Sequence, residues 1–220
     1  MHFSTDELND LAHIISEPRF ATYLKEVDGD RHKALCLYNW NMNVSSAFIM
    51  PLHLCEVSTR NGVAEAIEKV HGATWPWSNG FLQSLPVPKQ SKVYNPRENL
   101  EKTAHHEPTV GKIIASLNFA FWEKIFTKGQ DARLWQPHMR NVFPHVPCDM
   151  EIKAIRATFF DELQYIRRFR NRIAHYEPIF SRNLHQDYAR LLKIISWRST
   201  IAADWIHKVQ NVENLLAQRP

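Results

Sequence analysis

The chain has 220 residues, 44% of them hydrophobic, with seven Trp and twelve Phe, enough apolar mass for one large or two small domains. Lys and Arg outnumber Asp and Glu 27 to 23, a formal charge of +4, which suits a polyanionic partner without requiring one. Three scattered cysteines, Cys36, Cys55 and Cys148, exclude a disulfide framework and a metal knuckle.

Residues 1–7 lack a basic-then-apolar leader pattern. The most apolar run, 47–57, is too short to span a bilayer and contains His53 and Glu56. The expectation is a soluble cytoplasmic protein with no membrane partner.

Glycine is scarce and β-branched alternation is nearly absent, so helical periodicity dominates. Ser4 and Glu7 read as a capping box opening a helix to about Ile15. Ser16 caps a second helix, with Pro18 in its first turn, ending near Gly29. The longest helical pattern covers 31–71 and stops at Gly72. Pro51 lies inside it and predicts a kink or break. Residues 73–90 read as loop with one helical turn. A polar helix covers 96–106, and Thr109 starts another that ends at Gly129. The three prolines of 134–147 predict mainly irregular structure.

The next helix begins near Asp149, with Ile152, Ile155, Phe159, Leu163 and Ile166 on one stripe. Pro178 disfavours helix at Glu177, so this helix stops around His175. Asn183 and Gln186 cap a helix to about Ser199, and a final helix holds Ile201, Trp205, Ile206 and Val209. Residues 1–220 therefore read as one all-helical domain, with N-terminal helices over 1–29 and an insertion over 73–108.

The end of the 149–175 helix carries the chemistry. Arg167, Arg168, Arg170, Asn171, Arg172 and His175 gather phosphate-binding forks, an amide and an imidazole in nine residues. Extending the apolar stripe by its own steps reaches Arg170 and Ile173. An arginine on that face needs a carboxylate, a subunit interface or a phosphate. Arg170 and His175 lie about 140° apart on a regular helix. Either the last turn unwinds before Pro178, or two copies of the motif meet across a two-fold axis. Arg140-Asn141-x-x-x-His145 repeats the pattern, but Pro144 and no leading amphipathic run mark it as loop.

Arg170-Asn171-Arg172-Ile173-Ala174-His175-Tyr176-Glu177-Pro178-Ile179 resembles the signature of the HEPN superfamily in its Abi-like (abortive infection) branch. Residues 111–122 are similar to that branch's central helix. Residues 54–75, with Glu56, Arg60, Asn61, Gly72 and Trp75, resemble an earlier one. The likeness covers roughly 30–200. It implies a HEPN-type helical bundle, a homodimer and metal-independent RNA cleavage, with Arg170, Asn171 and His175 at the catalytic motif positions.

On that reading His175 acts as base, and His175 of a second copy as acid. Arg170 holds the phosphate and Asn171 orients it or His175. Arg167, Arg168 and Arg172 guide the RNA backbone. Glu56, Arg60 and Tyr176 are supporting candidates. Glu56 is equally able to pair with Arg170 across the bundle, and His175 to cap its helix. Neither cofactor nor metal is expected: His105-His106-Glu107 lacks zinc-ligand spacing, and no glycine-rich phosphate loop is present. The implied function is a ribonuclease toxin of bacterial phage defence, with RNA as substrate and an antitoxin or a phage trigger as a further partner. The alternative is a non-catalytic module that binds RNA or a protein.

Overall fold

A computed structural model describes residues 3–90 and 93–220. Met1, His2, Ser91 and Lys92, which fall in the expected N-terminal and inserted segments, lie outside the described residues. Among the described residues there are helices and turns and no strand, as the periodicity requires.

Helix α1 (Thr5–Ile15) opens with the expected reciprocal cap: Glu7 N–H donates to the Ser4 hydroxyl, and Ser4 N–H donates to the Glu7 carboxylate. Helix α2 (Glu17–Glu26) departs from expectation at its start. Ser16 sits at φ 79° and makes no side-chain cap, which leaves Pro18 in the first turn as the initiating feature.

Helix α3 (Arg31–His71) is the spine, 41 residues and about 60 Å long at 1.5 Å per residue. Asp30 caps it by accepting from Lys33 N–H, and Gly72 at φ 81° ends it. Pro51 does not break it. Phe48, Pro51, Leu52 and Cys55 are all buried, and their packing holds the helix through the one missing donor.

Then follow a 3-10 turn (Trp75–Trp77), α4 (Asn79–Ser84), α5 (Pro96–His106), α6 (Val110–Ser116) and α7 (Phe119–Ile125). A 3-10 turn (Lys128–Gln130) and a π turn (Asp131–Trp135) lead into α8 (Gln136–Val142). The chain closes with α9 (Ile152–Ala174), α10 (Leu184–Arg198), α11 (Thr200–Val209) and α12 (Val212–Leu216).

Three of these correct the sequence reading. The single helix expected over 109–129 is interrupted: Leu117 is extended, and the Asn118 side chain accepts from Phe121 N–H to restart the chain as α7. The stretch 134–147 is largely helical, because Pro137 occupies the first turn of α8, where its missing N–H costs nothing. Arg140 and Asn141 are therefore helical, and the loop expected over 140–145 begins only at Phe143. The final helix is split at Gln210 and Asn211 into α11 and α12.

The buried side chains form one continuous cluster. Phe126 lies stacked between Trp135 and Phe159 at 4.4 and 4.6 Å, and Phe143 and Trp197 close on Phe159 at 4.6 and 4.9 Å. In the inserted segment Trp75 is fully buried against Phe81 and Trp122, a plug on the bundle, whereas Trp77 is half exposed. Helix α9 packs against α3, α7 and α10. Phe48 of α3 meets Phe169 of α9 edge to face at 4.8 Å and fixes how these two helices sit beneath the candidate site.

Candidate functional site

The buried stripe of α9 is Ile155, Arg156, Phe159, Leu163, Ile166, Phe169 and Ile173. From Ile166 the step is three to Phe169, then four to Ile173. Arg170 thus falls beside the stripe, not on it, and is exposed. The expectation that Arg170 continues a packed face is corrected by that one-residue choice of step.

The arginines divide into engaged and free. Arg167 Nε donates to the Glu123 carboxylate at 2.5 Å; Glu123 is fully buried, and Lys124 Nζ lies 3.2 Å from its other oxygen. The same neighbourhood holds Tyr94, whose phenol donates to Asn99 and whose pKa is raised chiefly by burial. Arg172 donates to the Pro178 carbonyl at 2.7 Å and pairs with Glu177 at 3.2 Å. Arg168 is exposed and donates only to Gln164, one turn back. Arg170 makes no hydrogen bond or ion pair among the described residues, and no ion pair joins Glu56 to Arg170 or to Arg60.

The end of α9 is held firmly. His175 is the C-cap residue, and its N–H donates to Asn171 in the regular helical pattern. Tyr176 N–H then donates to Ile173 O, and Glu177 N–H to Arg172 O, the paired bonds of a Schellman turn. That turn requires a left-handed residue after the cap, and Tyr176 supplies it at φ 57°. Asn41 of α3, itself buried, accepts from Ile179 N–H at 2.8 Å and ties the outgoing chain to the spine. The last turn therefore does not unwind, and the route by which Arg170 and His175 of one chain would converge through a frayed helix end is corrected.

Arg170 and Tyr176 line a groove of about 340 Å3 between α9 and α3, together with Ile49, Leu52, His53, Glu56, Ile173 and Ala174. Asn171 and His175 are not among its lining residues. His175 is exposed, Asn171 is half-buried, and neither side chain makes a hydrogen bond. Arg60, one turn beyond Glu56, is half-buried with its Nε shut from water and unpartnered. The hollow beside Trp77, about 430 Å3, shares no residue with the motif, so chemistry and not size selects the α3–α9 groove.

Sequence reasoning missed His53 as a groove residue. The signal was present: His53 and Glu56 are three apart on a helix and share a face. Arg140 is engaged elsewhere, donating to the carbonyls of Pro147, Cys148 and Met150 as a clasp on the chain entering α9. Among the described residues no group of three or more His, Cys, Asp or Glu is gathered as a metal site would need. Among the described residues no helix is long and apolar enough to cross a membrane. No family model matches this chain, and neither a curated protein nor a solved structure shows significant similarity to it.

Proposed function

We propose that this chain is a HEPN-type, metal-independent endoribonuclease, a toxin of bacterial phage defence working at a composite dimer site. The observation that carries the reading is the contrast among its arginines. Arg167 and Arg172 are spent on protein partners, whereas Arg170 is held at a groove, exposed and unpartnered, five residues before an exposed His175. A free cation and an exposed imidazole on the same helix end suit an anionic substrate.

RNA supplies its own nucleophile. His175 takes the proton of the 2′-hydroxyl, whose oxygen attacks the adjacent phosphorus. The bond to the 5′-oxygen breaks, and His175 of the second copy returns a proton to that leaving oxygen. Arg170 lies against the phosphate and stabilises the charge that builds there. Asn171 orients the imidazole or a phosphate oxygen. Arg168 is the arginine best placed to guide the strand, since its only partner is a neutral amide on its own helix.

The test is cleavage of a defined RNA in excess chelator by the purified chain and by His175→Ala. The expected result is a product ending in a 2′,3′-cyclic phosphate and a loss of rate of at least about a hundredfold in the variant, the scale of general acid–base catalysis. Equal rates would end the proposal. A second reading, a non-catalytic module seating a partner, draws on the half-exposed Ile49 and Met50 of α3. Growth arrest on overexpression that His175→Ala leaves unrelieved would favour it.

A further inference from the structure

Tyr176 stands out on three independent counts. It occupies a left-handed backbone position, φ 57°, that a glycine would fill without strain. Its side chain is 78% exposed, an unusual place for a large aromatic ring. It lines the groove that also holds the unpartnered Arg170. A bulky aromatic ring at a backbone position that favours glycine, with most of its surface exposed, points to a role outside the core.

The groove is lined by residues of two kinds: Ile49, Leu52, Ile173, Ala174 and Tyr176 offer apolar surface, and His53, Glu56 and Arg170 offer polar groups. At about 340 Å3 it has room for one small ligand. A ribonucleotide unit has the same division, a flat apolar base joined to an anion. We infer that Tyr176 is a stacking platform for one base of the bound RNA, with Arg170 taking the phosphate attached to that nucleotide. This rests on the ribonuclease reading for its substrate, but it assigns a separate task, binding, to a residue outside the Arg-Asn-x-x-x-His motif. The Glu56 carboxylate, on the α3 wall of the same groove, accepts from an amino group on the base and favours bases that carry one.

The backbone supplies an unusually clean test. Tyr176→Gly removes the ring and keeps, or improves, the turn that ends α9, so the variant folds. Binding of adenosine 3′-monophosphate and of inorganic phosphate is measured by calorimetry on the full chain. The expected result is that Tyr176→Gly weakens the nucleotide roughly five- to 150-fold, the value of one stacked base, and leaves inorganic phosphate unchanged. Arg170→Ala weakens both. Nucleotide affinity equal to the wild type's overturns the inference, as does an equal loss for inorganic phosphate. Dissociation of a dimer by Tyr176→Gly with nucleotide affinity intact also overturns it, because the ring would then seat on the second copy. The inference and the nuclease reading fail separately. If His175→Ala cleaves RNA as the wild type does while Tyr176→Gly still loses the nucleotide selectively, the platform stands and the nuclease falls.

Discussion

Arg167 and Arg170 are three residues apart on one helix, yet they hold opposite positions in the energetics of the protein. Glu123 is fully buried, and its charge is tolerated because Arg167 and Lys124 lie against it. Truncating Arg167 removes the closer of the two cations. Breaking a buried pair costs about 3–5 kcal/mol, and the remaining Lys124 together with the partial exposure of Arg167 places this case at or below the lower end. Arg170 has nothing to lose of this kind. Arg170→Ala should change stability by no more than about 0.5 kcal/mol. Thermal or urea melts of the two variants therefore separate sharply, with Arg167→Ala destabilised and Arg170→Ala not. If Arg170→Ala also melts early, Arg170 is structural and the case for a free phosphate-binding cation is lost.

At the scale of elements, the site depends on how closely α3 lets its neighbours approach. A Cβ built on Gly62 would lie 2.9 Å from Cζ of Phe143, whose ring is fully buried beside Phe126, Trp135 and Phe159. Gly62→Ala gains about 1 kcal/mol in helix propensity. It also forces a ring that has no room to move, at about 1–3 kcal/mol. The net expectation is a destabilised protein, read as a lowered midpoint in urea, and a stabilised one would show that the ring does yield. The same contrast explains what was legible in the sequence. Periodicity placed α3, α5, α9 and α10 to within a few residues, because long amphipathic runs between caps carry their signal locally. It missed the restart at Asn118 and the helix α8, where a side-chain cap and a first-turn proline decide the outcome and apolar spacing does not. The motif at the end of α9 was visible by residue type. Its geometry was not, since a choice between steps of three and four after Ile166, settled by Phe169 packing on Phe48, turns Arg170 outward. The groove's α3 wall was legible only in part: the spacing of His53 and Glu56 puts them on one face, but which helix that face meets, more than a hundred residues further along the chain, leaves no local trace.

The molecule as a whole exposes 12058 Å2. A compact monomer of its size, 25.8 kDa, would expose about 10,500 Å2. Part of the excess follows from the length of α3, and part from faces left uncovered, among them Ile49, Met50 and Tyr176 around the groove. Helical geometry supplies the second half of the argument. The end of α9 is fastened by the Schellman turn, by Arg172 on Pro178 and by Asn41 on Ile179, which keeps Arg170 and His175 of one chain about 140° apart around the helix. On the proposed ribonuclease reading, cleavage at a composite site takes two chains. Specific activity should be constant at high protein concentration and fall in proportion to concentration below the dissociation constant of the dimer, with light scattering reporting the change from two chains to one over the same range. Met50→Glu, placing charge on the exposed face of α3 outside the groove lining, should move both transitions together to higher concentration. Activity that stays constant while scattering reports single chains would mean that one α9 suffices, and the proton that leaves with the 5′-oxygen would then have to come from a group on the same chain, for which His53, which lines the groove with Arg170, is the imidazole to test.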